Sequence, residues 1–182
     1  MTFFALYCDS GDIVTTEEEK RQGCCCFTGH RPEKLLRSEV QIKAALAQAI
    51  AKALADGKRT FLTGMARGVD IWAAEIVLKV RDDDPSVHLI CVLPHPNFEK
   101  RWSKHWQQRY DAILQSADLV KIISSTFSIS SYQKRNAWMV DHASLVIAVY
   151  SGVNGSTRKT ITYARQQGIP IDMIAVPSAP HR

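Results

Sequence analysis

The sequence predicts an α/β fold with a doubly wound, mostly parallel sheet and helices on both faces. From residue 23 onward, short apolar runs alternate with amphipathic segments, a pattern typical of β-α units on a parallel sheet. Glycine-rich turns follow several of these runs, as expected where a strand leads into a helix. Six strands are therefore expected at residues 23–28, 60–63, 87–93, 119–123, 145–150 and 170–176.

The first predicted helix lies between the first two apolar runs, where apolar residues recur at mostly fourfold spacing. Ser38 and Gln41 are placed as a capping box at its start, and Gly57 is placed to end it. A second helix is expected to open near Val69 and to break at residues 83–85, where an Asp-Asp-Pro sequence stands. Three more helices are expected at about 98–116, 132–142 and 156–167.

Length and composition fit one globular domain with a substantial core. The chain has 182 residues, of which 46% are hydrophobic and 23% are charged. We expect a single domain over residues 23–182 and an N-terminal extension of unknown role over residues 1–22. No apolar run approaches the roughly 20 residues that span a bilayer. The expected location is the cytoplasm, and the oligomeric state is left open.

The cysteines and the net charge exclude few kinds of site or ligand. The five cysteines include the consecutive Cys24, Cys25 and Cys26, which lack C-x-x-C spacing. We interpret these three as small buried strand residues in a reducing compartment, with no metal site predicted. The formal net charge of +5 suits a phosphate-bearing small molecule as well as a nucleic acid.

The loop after the second predicted strand has the features of an anion-binding turn. Gly64 and Gly68 allow the backbone to approach a ligand closely, with Met65 and Ala66 between them. The first turn of the following helix adds free N–H groups and positive partial charge. Asp70 stands in that turn, where it either favours the helix dipole or accepts hydrogen bonds from ligand hydroxyls. Glycines that only shape a turn are the alternative interpretation of this loop.

Two more loops are expected at the same edge, because the carboxyl ends of parallel strands face one way. The predicted ligand-binding residues that follow the other strands, some of them on the next helix, are Gly29, His30, Arg31, Arg135, Asn136, Gly152, Gly155, Ser156 and Thr157. A hydroxyl in the last loop can cap the helix and donate to a phosphate oxygen. The alternative for Arg31 is a surface arginine fixed by its proline neighbour. For Arg135 and Asn136 the alternative is that they are solvated helix residues, and for the last loop it is a structural turn with a helix cap. Neither a Walker A loop nor a G-x-G-x-x-G motif is present.

The third predicted helix offers an alternative contact with nucleic acid. Cations and aromatic residues are interleaved there, which is typical of single-strand binding surfaces but also of a packed helix with a solvated side. The residues concerned are Lys100, Arg101, Lys104, Arg109, Trp102 and Trp106.

Over about residues 25–176 the sequence resembles the YpsA-like family of the SLOG superfamily, a Rossmann-like group that includes the DprA/Smf proteins and the LOG phosphoribohydrolases. Four landmarks in order carry the resemblance. They are the F-T-G-H-R-P sequence at 27–32, the T-G-M-A-R-G-V-D sequence at 63–70 with W-A-A-E at 72–75, Tyr132 with Arg135-Asn136, and the loop at 150–157.

The resemblance implies a pocket for a nucleotide-derived ligand, with NAD-related and ADP-ribose-like molecules as the leading class. It does not imply catalysis. The LOG hydrolases carry P-G-G-x-G-T-x-x-E, and in this chain Lys159 stands at the position of the catalytic glutamate. No catalytic residue is therefore predicted. A phosphoribohydrolase-like enzyme and a DprA-like single-stranded nucleic-acid binder remain as alternatives.

Overall fold

A computed structural model describes residues 16–177, so most of the N-terminal extension expected at residues 1–22 lies outside the described part. The helices and strands follow the order α1 (Glu17–Gln22), β1 (Cys24–Gly29), a 3-10 helix (Pro32–Lys34), α2 (Glu39–Ala55), β2 (Thr60–Thr63), α3 (Val69–Asp83), β3 (His88–Leu93), α4 (Lys104–Ser116), β4 (Leu119–Ile122), α5 (Ile129–Asp141), β5 (Leu145–Tyr150), α6 (Ser156–Gln166) and β6 (Ile171–Ala175). The strands form one six-stranded sheet in the order β4-β3-β2-β1-β5-β6. All described strand pairs are parallel.

The sheet is covered on both faces, as a doubly wound fold requires. Successive β1 side chains alternate between two cores: Cys25 and Phe27 pack with residues of α2, α3 and α4. Cys24 and Cys26 pack with residues of α5 and α6 on the opposite face. The predicted fold class is confirmed. The continuous burial of β1 follows from this two-sided covering, which leaves neither face of that strand open to water.

The strands begin and end within about one residue of the predicted positions, and the helices depart more. Helix α5 begins at Ile129 because the Ser128 side chain accepts from the Ser131 N–H. Helix α1 was not predicted from the sequence. It opens on a capping box in which the Thr16 hydroxyl accepts from the Glu19 N–H at 3.2 Å. The Ser38 and Gln41 capping box of α2 is present as predicted.

The helix expected at 98–116 was placed too early, because α4 begins only at Lys104. Asn97 has a left-handed backbone with φ of 61°, and residues 98–101 form turns instead of a helix. The Phe98 ring instead packs edge-on against Trp102 and Tyr110, with centroids 5.2 and 5.5 Å apart. Aromatic packing against the core therefore overrides the helical pattern of this segment.

A charged cluster joins the three helices on one face of the sheet. The Arg109 guanidinium of α4 donates to Glu75 of α3 at 2.6 Å and to Glu39 of α2 at 2.7 Å. Lys43 of α2 pairs with Glu75 at 2.8 Å, and Arg109 lies 4.8 Å from the centroid of the Trp106 ring. Arg109 is thus engaged by two carboxylates. This removes one of the cations on which nucleic-acid contact by this segment was expected to depend.

The described cysteines are buried and unpaired, as the sequence predicted for Cys24, Cys25 and Cys26. Burial raises the pKa of the Cys24 thiol to about 11, so the thiol stays protonated at neutral pH. Within residues 16–177 no group of three or more His, Cys, Asp or Glu side chains is arranged to hold a metal ion. None of the helices in that range is long and apolar enough to cross a membrane.

Candidate functional site

The candidate site lies where the strand order of the sheet reverses. Strands β1 and β5 are neighbours in the sheet, although β2, β3 and β4 lie between them in the chain. Cys25 lies opposite Leu145 and Gly29 opposite Val149. In open α/β sheets, ligands bind outside the carboxyl ends of the strands at such a reversal. The loops after β1 and β5 both open there, and the loop after β2 lies beside them.

His30 fills the space between these two strand ends. Its ring is 4% exposed and stacks on Tyr150 with centroids 5.4 Å apart. Its Nδ1 lies 3.4 Å from the Thr157 hydroxyl, whereas its Nε2 is buried without a partner among the described residues. Burial lowers the pKa of His30, and the nearby Lys34 ammonium lowers it further. The imidazole is therefore neutral at pH 7 and has hydrogen-bonding capacity left over.

Helix α6 presents an uncapped N-terminus to the same place. Its N-cap residue is Gly155, and no side chain accepts from its first N–H groups. The expected capping by Ser156 or Thr157 is wrong because these residues form the first turn itself. An added Cβ at Gly155 would lie 3.9 Å from the Lys34 Nζ, so an ammonium group stands close to the helix start. Free N–H groups beside a cation favour an anion here.

The loop after β2 is built around Gly64. Arg135 of α5 donates to the Gly64 carbonyl. A Cβ at position 64 would lie 2.6 Å from the Arg135 Cζ and 2.8 Å from the Asp70 Oδ2. Asp70 is 6% exposed and accepts from the Ala66 N–H at 3.2 Å. Both charged side chains are therefore buried within the protein, where they hold the loop in place.

Burial raises the pKa of the Asp70 carboxyl to about 6, against the opposing effects of the Arg135 charge and the Ala66 N–H. Burial also lowers the pKa of Arg135. The hypothesis that Asp70 only favours the helix dipole is too narrow, because its side chain also fixes the backbone of Ala66.

Close packing joins the first two loops. A Cβ at Gly29 would lie 2.5 Å from the Val69 side chain, and one at Gly68 would lie 2.8 Å from the Pro32 ring. Gly68 also has φ of +92°, which favours glycine. Met65 is a buried non-glycine residue with φ of 59°. Such a conformation costs energy and is concentrated at functional sites, so the loop is held in a specific shape.

The structure brings most of the predicted residues to this edge of the sheet. Asn136 links the last loop to α5 by donating to the Ser156 hydroxyl at 3.1 Å and to the Thr160 hydroxyl at 2.9 Å. Arg31 is exposed, and its side chain makes no hydrogen bond or ion pair with a described residue. Gly152 has φ of +82° and open space around it. These two residues are the least constrained of the predicted set.

Three residues at the edge are not among the predicted ligand-binding residues, although two of them belong to the loop at 150–157. Lys34 lies against Gly155, Tyr150 packs on His30, and the Ser151 hydroxyl is buried without a partner among the described residues. Tyr150 is the last residue of β5 and Ser151 follows it directly, while Lys34 comes three residues after Arg31. Because all three lie at or shortly after the ends of β1 and β5, their positions in the sequence could have indicated that they belong to the site.

A groove of about 680 Å³ lies between α5 and α6 and opens beside the N-terminus of α6. It is lined in part by Asn136, Gly155 and Ser156 of the predicted set, whereas Gly64 and Arg31 lie outside it. Lys159 is exposed and lines the groove.

The strand order, the two-sided helix covering and the glycine loops at the sheet reversal define a Rossmann-type α/β domain. The family model of the YspA SLOG family matches residues 25–177. The chain belongs to this family.

Curated relatives agree with this assignment. The chain is 31% identical over 144 residues to the uncharacterized SPbeta prophage-derived protein YoqJ of Bacillus subtilis, covering 72% of this chain and 82% of that protein. It is 29% identical over 111 residues to a UPF0398 protein of Staphylococcus epidermidis, covering 60% of this chain and 59% of the relative. The chain thus matches little more than half the length of that relative.

Two solved structures share the fold. DNA processing protein A from Helicobacter pylori, described for its single-stranded DNA binding mode, matches with a TM-score of 0.60 and 16% identity, covering 91% of this chain and 68% of that one. DprA from Streptococcus pneumoniae matches with a TM-score of 0.61 and 18% identity, covering 87% and 52%. At these identities the likeness concerns the fold alone.

Proposed function

We propose that the protein binds a nucleotide-derived small molecule, NAD-related or ADP-ribose-like, with its diphosphate between the loops after β1 and β5. This proposal depends on two unsatisfied groups that lie together. The Nε2 atom of His30 is buried without a partner among the described residues, and the N-terminus of α6 is uncapped. A buried polar atom without a partner costs free energy, so a ligand that satisfies it binds favourably. Membership of the SLOG family supports a nucleotide as the ligand.

The charges around the site suit a diphosphate. Lys34 stands by the helix start, Arg31 is exposed in the loop after β1, and neither forms an ion pair with a described residue. Asp70 and Arg135 are buried together, and we infer that they act by positioning the Gly64 backbone against the ligand. The N–H groups of α6 and the two free cations then supply the direct contacts to phosphate oxygens.

Substitution of Arg31 by Ala is expected to weaken ADP-ribose binding about tenfold, the loss expected for one charge-assisted contact. The free energy of unfolding is expected to change by less than about 0.5 kcal/mol, because the side chain is exposed and makes no described contact. Titration calorimetry and thermal melting measure the two quantities. His30→Phe keeps an aromatic ring beside Tyr150, removes both ring nitrogens and is also expected to weaken binding.

Arg101→Ala is the matched control, since Arg101 is also an exposed arginine and lies outside the site. It is expected to leave binding unchanged. Failure of the wild-type protein to bind either ADP-ribose or NAD, or equal affinity in the wild type and in both site variants, would contradict the proposed function.

The bound ligand is expected to remain intact. Lys159 occupies the place of a catalytic glutamate, and the loops contain no convincing pair of nucleophile and base. Incubation of the pure protein with AMP, NAD and ADP-ribose, followed by chromatography, is expected to release neither base nor ribose phosphate. Steady release over many turnovers would show that the protein is an enzyme.

Binding of single-stranded nucleic acid is the second candidate, favoured by the fold shared with the DprA proteins. The segment at 98–116 gives it little support. Arg109 is paired with two carboxylates, while Trp102 and Trp106 pack against the core. The small-ligand proposal therefore ranks first.

A further inference from the structure

The groove between α5 and α6 has walls that are fixed at both ends. At the end near the candidate site, Asn136 donates to the hydroxyls of Ser156 and Thr160, at 3.1 and 2.9 Å. At the far end, the Tyr163 hydroxyl donates to Asp141 at 2.8 Å. These contacts tie the two helices together on either side of a space of about 680 Å³. That size falls within the range of small-molecule sites, roughly 300–1,000 Å³.

The charged residues that line the groove are all cations, and Asp141 lies beyond its far end, bound to Tyr163. Lys134, Arg158 and Lys159 line it, and no aspartate or glutamate does. None of the three cations forms an ion pair with a described residue, and Arg158 has only the Asn154 side-chain oxygen as a partner. On helices α1–α4, by contrast, six of the eight lysines and arginines form ion pairs, as Lys43 and Arg109 do. Uncompensated positive charge in a concave site attracts an anion.

The remaining lining residues suit the uncharged part of a nucleotide. Ala137 and Tyr163 provide apolar and aromatic surface, against which a base or a ribose packs. Gln133 and Gln166 each provide a donor and an acceptor on one amide, the combination that pairs with the edge of a nucleobase. Phosphate, sugar and base thus each have matching groups in the groove.

We propose that the groove binds a second nucleotide unit of the same ligand, whose first unit lies at the candidate site. This inference rests on the proposed function, and it specifies the ligand as one built of two phosphate-linked nucleotide units. Gly155 and Ser156 belong both to the groove and to the N-terminus of α6, so the two compartments are continuous. A phosphate at the start of α6 therefore leads directly into the groove.

The test compares AMP with the 5′-phosphorylated diadenylate pApA. Wild-type protein is expected to bind pApA at least about tenfold more tightly than AMP, because the second unit adds contacts without the cost of a separate association. The double variant K134Q/K159Q is expected to lose this difference while it keeps its affinity for AMP. The matched control is K100Q/K104Q, which removes two exposed lysines outside the groove and is expected to retain the difference.

A ¹⁵N NMR titration gives an independent readout. AMP is expected to shift the backbone amides of Gly29 and Gly155, and pApA is expected to shift in addition the side-chain amides of Gln133 and Gln166. Equal affinity for AMP and pApA, with AMP shifting the site amides, would overturn this inference and leave the proposed function intact. Absence of binding by both probes would overturn this inference, whereas the proposed function is decided separately by the titrations with ADP-ribose and NAD. Affinity that continues to rise with each added nucleotide would overturn the two-unit ligand in favour of a polynucleotide path.

Discussion

Replacement of Gly64 by Ala is expected to lower the free energy of unfolding by about 3 kcal/mol, because the new methyl group overlaps the buried Arg135 guanidinium. The added Cβ would lie 2.6 Å from the Arg135 Cζ and 2.8 Å from the Asp70 Oδ2. Arg135 would then have to leave the Gly64 carbonyl to which it donates. Chemical denaturation measures the loss, and thermal melting is expected to show a fall of about 10 °C.

Gly57→Ala is the matched control for this variant. Gly57 has φ of +83° and no atom within 4 Å of an added Cβ, so the substitution carries backbone strain without steric overlap. Its expected cost is about 1 kcal/mol. If the two variants lose equal stability, the packing of Arg135 and Asp70 around Gly64 is not what requires glycine at that position.

The second large effect is a pH dependence that Asp70 confers on stability. Burial raises the pKa of its carboxyl to about 6 in the folded protein, from an ordinary value of 3.8. The folded state therefore holds this proton more tightly than the unfolded state does. The resulting stabilisation is fully present below about pH 4 and is lost as the pH rises through 6, amounting to about 3 kcal/mol.

Asp70→Asn removes the titrating group. Relative to this variant, the wild type is expected to lose about 2.4 kcal/mol of unfolding free energy between pH 4 and pH 7. Denaturant titrations at several pH values measure it. Asp82→Asn, at an exposed carboxylate, is the control and is expected to show a much smaller change. A constant difference between wild type and Asp70→Asn across this range would show that Asp70 does not titrate there.

The sequence predicted the architecture well because its local patterns and the final packing agree. The apolar runs at 60–63 and 145–150 are the strands Thr60–Thr63 and Leu145–Tyr150 without a shift. Ser38 and Gln41 form the predicted capping box. The start of α4 could not be predicted, because the aromatic residues around Phe98 pack on the core in a non-helical backbone, which periodicity does not reveal.

The candidate site was predicted less completely, because long-range contacts decide the roles of its charged residues. Glycine spacing located the loops, and strand ends brought them to one edge. Nothing local distinguishes Arg135, which is buried on Gly64, from Arg31, which is exposed. Arg109 likewise has the sequence context of a phosphate contact, yet two carboxylates from other helices engage it.

The pairing of β1 with β5 has a consequence for synthesis of the chain. Strand β1 is central, but its neighbour on one side, Leu145–Tyr150, is translated long after β2 has become available on the other. A nascent chain that ends before residue 145 therefore exposes an open edge of the sequence Cys-Cys-Cys-Phe, without charge or proline to protect it. Such an edge is a template for pairing with other chains, so we expect the ribosome-bound intermediate to be more prone to aggregation than the completed fold.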